Sequence, residues 1–270
     1  MATDYSSISI GTVEELAKRV GDTLLAERYR DPTHFVYELL QNAEDALKDR
    51  FKEQPKGDFN RSVKFDLFPD RLELRHSGIP FGKAHIHAIC DIARSSKTAK
   101  DDIQHFGIGF KSVYAFTKSP QIHSGDEHFW IESYVKPHAL EPRQTGTGET
   151  LFVFPFDHSE KEPKECHVEI AARLRDLGLQ TILFLRFVDE IEWRIDKQGS
   201  GRYSRRVSDL ATGARQFDLS GEENGRTLRS ESWLVFSRSA EFIGREGRTI
   251  DVAYQFLEKW VISTVVTSVL

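Results

Sequence analysis

Strand-like and helix-like segments follow one another along this chain without strict alternation, and this order limits the folds open to it. Alternating residues in SVKFDLF (62–68) and RLELRHS (71–77), joined by a Pro-Asp pair, predict a β-hairpin. Helical spacing of apolar residues predicts helices over 12–29, 32–52, 83–93, 111–116 and 165–177. Asp31 can cap the second helix, and Pro32 suits its first position. The order predicts an α+β fold with helices layered on one face of a mixed, mostly antiparallel sheet.

The remaining strand predictions concern the second half of the chain. QIHS (121–124), HFWIESYV (128–135), ETLFVFPF (149–156), SWLVFSRS (232–239) and TIDVAYQF (249–256) each predict one strand, and TILFLRFVDEIEWRI (181–195) predicts two. The polar, Gly-rich and Arg-rich stretch 196–230 predicts a surface excursion. The chain ends in a β-branched run without a turn signal, so we expect it to be the N-terminal piece of a longer protein.

Composition excludes several classes of protein. A net charge of -5 and a pI near 6.1 give no global attraction to nucleic acid, whose binding stays open, or to anionic membranes. Two cysteines support neither a disulfide framework nor a cysteine zinc cage. The N-terminus lacks a signal-peptide pattern, and the apolar tail WVISTVVTSVL is too short to span a bilayer. We therefore expect a cytoplasmic protein that does not enter membranes.

The segment HFVYELLQNAEDALKDR (34–50) carries a polar stripe on a predicted helix. Glu38 and Asn42 are four residues apart and Asp45 is three further on, so all three project from one face. A solvated helix face is the simple interpretation for a single acidic residue. An Asn in mid-helix is costly, however, and apolar residues nearly surround this one. The stripe is therefore a candidate functional site.

The segment FGIGFKSVYAF (106–116) is the second candidate site. Gly107 and Gly109 flank Ile108 and precede a predicted helix, an arrangement that lets backbone amides approach an anion. Phe110 separates Gly109 from Lys111, which excludes a P-loop, and no third glycine completes a dinucleotide fingerprint. Taken alone, the segment is better explained as a tight strand-to-helix turn.

The segments ELLQNAEDA, HSGIPF, SSK and FGIGFKSVY, in this order and at these intervals, together resemble the motifs of the GHKL ATPases. That superfamily comprises gyrase, the 90-kDa heat-shock chaperone, histidine kinases and MutL. The closest resemblance is to the chaperone-like branch that includes the N-terminal domains of sacsin and NO VEIN. It extends over residues 27–252 and implies a two-layer sandwich, the Bergerat-type ATP-binding fold. Residues 1–180 are then the ATP-binding domain, and 181–270 a strand-rich extension that begins a following domain.

The resemblance also implies roles for individual residues. Asn42 would bind the Mg²⁺ that bridges the ATP phosphates, Glu38 would be the general base for the attacking water, and Asp45 would line the pocket. Glu38 argues against a histidine kinase, since those relatives generally lack it. The resemblance also implies a phosphate-binding loop, formed by Gly107, Ile108, Gly109 and Phe110, which Lys111 would assist. The lid would begin at Ser95, Ser96 and Lys97. Thr150 would help to bind adenine.

The adenine-reading motif departs from the family pattern. The family has Asp-x-Gly-x-Gly, whose Asp accepts a hydrogen bond from the exocyclic amine of adenine, whereas this chain has His76, Gly78 and Pro80. A neutral imidazole can accept one hydrogen bond, so we expect His76 to replace the carboxylate. Gln104 and Glu149 also stand where glycine is usual.

The leading hypothesis is therefore an ATP-binding, slowly hydrolysing switch. Lid closure, with ATP-dependent association of two N-terminal segments, would drive a downstream effector domain or a partner protein. A nuclease or similar domain downstream would indicate a role in prokaryotic genome or antiviral defence. The first alternative is a non-catalytic scaffold that has lost adenine recognition. A metal hydrolase built on His85 and His87 is disfavoured, because residues two apart on a helix point in different directions.

Overall fold

A computed structural model describes residues 35–90, 109–183, 185–211, 214–242, 245–255 and 264–268. The predicted helix 12–29 and the predicted helix start at Asp31 and Pro32 lie outside these residues. So do Ser95, Ser96, Lys97, Gln104, Gly107 and Ile108.

The described strands form one continuous hydrogen-bonded sheet, and in several strands alternate residues are buried. In β1, for example, Val63, Phe65 and Leu67 are almost fully buried while the residues between them are partly exposed. The strands are β1 Ser62–Phe68, β2 Arg71–His76, β3 Gln121–Ser124, β4 Glu127–Glu132, β5 Lys136–Ala139, β6 Thr150–Pro155, β7 Glu190–Ile195, β8 Gly199–Asp209, β9 Arg215–Glu223, β10 Arg226–Phe242, β11 Arg245–Gln255 and β12 Thr264–Ser268.

The sheet order is β12-β11-β10-β9-β8-β7-β1-β2-β6-β3-β4-β5. Strand β1 pairs in parallel with β7 and antiparallel with β2, and the other described pairings are antiparallel. The predicted α+β class with a mixed, mostly antiparallel sheet is confirmed. The predicted hairpin 62–77 is confirmed as β1 and β2.

Three α-helices are described: α1 Phe35–Glu53, α2 Lys83–Cys90 and α3 Pro163–Arg175. Helix α3 begins with a capping box between Glu162 and Glu165 and has Pro163 in its first turn. All three helices contribute buried residues to the same hydrophobic core as the sheet. None of the described helices combines the length and the hydrophobicity that crossing a bilayer requires.

The carboxylate of Glu44 joins α1 to the segment that precedes β7. It accepts hydrogen bonds from the backbone N–H groups of Arg186, Phe187 and Val188 at 2.5, 2.9 and 2.8 Å. Three consecutive backbone donors outside regular structure are thus satisfied by one side chain.

Two predictions in the first half of the chain need correction. The strand predicted over HFWIESYV ends earlier, at Glu132, because Ser133 and Tyr134 adopt positive φ angles of 47° and 73° and turn the chain towards β5, which begins at Lys136. The predicted helix 111–116 is a 3₁₀-helix at Lys111–Ala115.

Two further predictions fail in the second half. The described residues of 181–195 contain one strand, β7, and the segment begins within a 3₁₀-helix, Leu179–Ile182, whose Leu179 and Ile182 are buried. The stretch 196–230 is not a surface excursion: it forms β8, β9 and the start of β10. Arg202 illustrates the reason, since it pairs with Glu222 on the neighbouring strand at 2.9 Å, so charged residues there face one another across strands.

Candidate functional site

Of the three residues of the predicted polar stripe on α1, Asn42 is buried, whereas Glu38 and Asp45 are partly exposed. Asn42 is 7% exposed, and its Nδ2 is buried without a hydrogen-bond partner among the described residues. A buried donor left unpaired costs about 1–3 kcal/mol. Exchange of the carboxamide oxygen and nitrogen by rotation would present either atom to the same space. The donor of Asn42 is therefore a buried polar group that the described residues leave unsatisfied.

Glu38, one helical turn before Asn42, lies directly against Gly109. A Cβ atom built on Gly109 would overlap the Glu38 carboxylate and lie 3.0 Å from its Cδ. Gly109 and Phe110 are helical and lead into the 3₁₀-helix Lys111–Ala115. The structure therefore brings Glu38 together with the described part of the predicted phosphate loop.

Phe110 and Lys111 are both buried, for different reasons. The Phe110 ring lies 5.9 Å from that of Phe152 and 6.1 Å from that of Phe154, on β6, so it fixes the loop to the sheet. The Lys111 ammonium donates to the carbonyl oxygen of Ile89 at 2.5 Å and to that of Tyr134. The predicted phosphate role of Lys111 stays a prediction, and these two bonds favour a structural role for its side chain.

The predicted base-reading residues lie on adjacent strands. His76 on β2 is directly opposite Thr150 on β6, which is in turn opposite Ser124 on β3. Residues opposite one another in antiparallel strands project from the same face. The Ser124 and Thr150 hydroxyls are 2.5 Å apart, and Ser124 Oγ accepts the N–H of Phe81 at 3.0 Å. Sequence analysis missed Ser124, whose only signal was a small polar residue ending a strand.

The turn after His76 is fastened to α1. Ile79 N–H donates to Ala46 O at 2.9 Å, and a Cβ on Gly78 would lie 2.5 Å from Ala46 Cβ, so only glycine allows this approach. Arg50 donates to Ser77 O at 2.6 Å and to Gly148 O at 3.0 Å. Arg50 was not among the predicted site residues, because its partners are distant in sequence.

The tautomer of His76 follows from one hydrogen bond. Gly78 N–H donates to His76 Nδ1 at 3.1 Å, so Nδ1 is unprotonated and the proton of the neutral ring is on Nε2. Nε2 is buried and has no partner among the described residues. Burial lowers the pKa of His76 from 6.5 to about 4, so the ring is neutral at pH 7. The expectation that His76 accepts a hydrogen bond from a ligand disagrees with this geometry, since its acceptor nitrogen is already occupied.

We expect stability to fall when the pH is lowered from 7 to 5. The unfolded chain binds a proton at His76 near pH 6.5 and the folded chain only near 4, so acidification favours unfolding by about 2 kcal/mol over this range. Burial, with the nearby His128 and Arg143, also lowers the pKa of His123 to about 4, which adds to the effect. Urea unfolding at both pH values measures it.

His76→Asn should reduce this pH dependence. His87→Asn is the matched control, because His87 is exposed on α2. Equal slopes of stability against pH in the wild type and His76→Asn would contradict the assigned burial of a neutral His76.

Asp45 lies on α1, three residues after Asn42, and is partly buried. His85 is not poised for a metal, because its Nδ1 accepts the N–H of Gly82 at 3.1 Å. Among the described residues, no group of three or more His, Cys, Asp or Glu side chains could hold a metal ion. A metal at Asn42 would therefore need most of its ligands from elsewhere.

Comparisons with known proteins give two partial similarities. The chain is 30% identical to the NO VEIN protein of Arabidopsis thaliana over 126 residues, which is 44% of this chain and 4% of that protein. It is 37% identical to human sacsin over 113 residues, which is 38% of this chain and 2% of sacsin. No protein-family model matches. These similarities support a sacsin-like and NO VEIN-like relationship, and the chain matches only a few per cent of the length of either relative.

Proposed function

We propose that this chain binds ATP with Mg²⁺ and hydrolyses it slowly, as a GHKL-type conformational switch. The observation that carries the proposal is Asn42, a buried mid-helix carboxamide with an unpaired donor, one turn after a carboxylate that touches Gly109. The sacsin-like similarity supports it. We further propose the two-layer Bergerat arrangement of helices on the sheet, which the packing of Phe110 on Phe152 and Phe154 supports.

The described residues fit an Mg²⁺-nucleotide better than a protein-held metal. Mg²⁺ keeps several waters and is commonly held by one or two protein oxygens together with substrate phosphates, so the single Asn42 carboxamide suffices. When bound, Mg²⁺ would neutralise charge that develops on the phosphates. The carboxamide oxygen of Asn42 would orient the metal.

Glu38 would act on the attacking water. A carboxylate one helical turn from Asn42 lies on the same side of α1 and can accept a proton from a water near the terminal phosphate. Its contact with Gly109 restricts where the carboxylate can go. Backbone amides at Gly109 and Phe110 would donate to phosphate oxygens, as the resemblance implies. Asp45 would line the pocket beside them.

The switch would act on partners that lie outside the described residues. We propose nucleotide-dependent closure of a lid that includes Ser95, Ser96 and Lys97, association of two copies, and coupling to a downstream effector domain or partner protein in the cytoplasm. Prokaryotic genome or antiviral defence is the role we propose if that effector is a nuclease.

Two observations favour a second candidate, a non-catalytic module of the same fold. The Lys111 ammonium is held by backbone carbonyls, and the acceptor nitrogen of His76 is already occupied. Isothermal calorimetry separates the candidates, because a scaffold would give no heat with Mg-ATP at high micromolar concentration.

Replacement of Asn42 by alanine should weaken Mg-nucleotide binding at least about tenfold without destabilising the fold. Alanine removes the unpaired buried donor and gains about 0.5 kcal/mol of helix propensity, so the melting temperature should stay level or rise. Calorimetry and thermal unfolding of the same preparations measure the two effects. A loss of binding without a loss of stability is expected only for a residue that serves a ligand.

Gln41→Ala is the matched control, because Gln41 is the neighbouring residue on α1 and is exposed. It should bind Mg-nucleotide like the wild type. Wild-type affinity in Asn42→Ala, or equal weakening in both variants, would overturn the proposed site.

A further inference from the structure

Two buried polar side-chain atoms without partners lie on α1 and on β2. Asn42 Nδ2 is the first and His76 Nε2 is the second, and neither has a hydrogen-bond partner among the described residues. Gly78 packs against Ala46, which lies one helical turn after Asn42. A Cβ atom built on Gly78 would also lie 3.0 Å from His76 Nδ1. His76 is therefore near the next turn of the same helix face.

The unpaired atom of His76 is a donor, not an acceptor. Its Nδ1 lone pair is occupied by Gly78 N–H, which leaves Nε2–H as the only group of the ring that can bind a ligand. His76 is 2% exposed, so water of the bulk solvent does not satisfy this donor. The opposite residue, Thr150, already shares a hydrogen bond with Ser124.

We propose that His76 recognises the nucleobase by donating a hydrogen bond to an acceptor on the purine edge, and that the exocyclic amine of adenine is not read at this position. The inference rests on the proposed function, because it assumes that a purine nucleotide occupies this site. On the Watson–Crick edge, next to the exocyclic amine, two acceptors have the required chemistry: the unprotonated ring nitrogen N1 of adenine and the carbonyl oxygen O6 of a 6-oxopurine. An amine facing Nε2–H would instead place two donors against each other, which weakens binding about 10- to 100-fold.

The experiment compares the affinity of four Mg-nucleotides by calorimetry: ATP, purine riboside triphosphate, which lacks the amine, 1-deaza-ATP, which lacks N1, and ITP, which carries O6. Purine riboside triphosphate should bind as tightly as ATP. Weaker binding of 1-deaza-ATP identifies N1 as the acceptor, whereas tighter binding of ITP than of ATP identifies O6. Purine riboside triphosphate binding tenfold more weakly than ATP would overturn the inference and leave the proposed function standing.

His76→Asp is the matched variant, because a carboxylate accepts where the imidazole donates. It should bind ATP about 10- to 100-fold more tightly than purine riboside triphosphate, whereas the wild type should bind the two nucleotides equally tightly. An unchanged nucleotide preference in this variant, with an unchanged melting profile, would overturn the inference. If none of the four nucleotides binds the wild type, the proposed function itself fails.

Discussion

Replacement of Glu38 by glutamine is expected to lower nucleotide hydrolysis at least about 100-fold while Mg-nucleotide affinity stays within about twofold. A general base contributes about 10²- to 10⁴-fold to a rate, and glutamine keeps the shape of the side chain without its ability to take a proton. The carboxylate lies against Gly109, so the amide should occupy the same space and leave the loop in place. Single-turnover phosphate release and calorimetry on one preparation separate chemistry from binding.

Glu53→Gln is the control for this experiment, since Glu53 ends the same helix and is exposed. It should hydrolyse nucleotide at the wild-type rate. Undiminished hydrolysis in Glu38→Gln would exclude Glu38 as the general base. A parallel loss of binding and hydrolysis would assign it to nucleotide binding instead.

Replacement of Gly109 by alanine should also lower hydrolysis, by about 100-fold, with little change in stability. The new methyl group would overlap the Glu38 carboxylate, which sits at the end of a flexible side chain and can move aside. Displacement of a catalytic group by about 1 Å costs on the order of 100-fold in rate. The melting temperature should hold or rise, because alanine favours the helical conformation of this residue by up to about 1 kcal/mol.

A double-mutant cycle tests whether the two residues act through their contact. In Glu38→Ala, a Cβ on Gly109 would lie 3.7 Å from the Cβ of residue 38, an ordinary contact, so Gly109→Ala should have no further effect on hydrolysis there. Gly178→Ala is the control, because its nearest neighbour would be 3.9 Å away. Losses that simply multiply in the double variant would show that Gly109 and Glu38 act independently.

The elements that sequence analysis predicted correctly have local signals. Helix α1 and strand β1 carry 3.6-residue and two-residue periods that burial follows, and β2 carries an alternating pattern in which Glu73 is buried as well. Strands β8 and β9 were missed because few of their residues are apolar. Phe217 and Leu219 are buried on β9, but most of β8 is partly or fully exposed, so its polar residues resemble a loop. The register of the neighbouring strands, not the local pattern, makes it a strand.

In the candidate site, too, the features with local signals could be predicted from the sequence and the others could not. The burial of Asn42 could be predicted, because the apolar residues that surround it are near in sequence. Arg50 donates hydrogen bonds to the carbonyl oxygens of Ser77 and Gly148, which are 27 and 98 positions away in the sequence. No local pattern encodes these two contacts. The proton position on His76 depends on one backbone hydrogen bond in a turn, which no sequence pattern encodes.

The parallel pairing of β1 with β7 has a consequence for how the chain reaches its native state. Ser62 is opposite Glu190 and Leu67 is opposite Ile195, so the centre of the sheet joins segments made far apart in time during synthesis. Such high contact order makes folding slow, since a long loop must close before the pairing rewards it. Helix α1 can form early, whereas β7, the parallel partner of β1, emerges from the ribosome more than about 100 residues later. During that interval β1 has an open edge, which makes the nascent chain a natural client for chaperones.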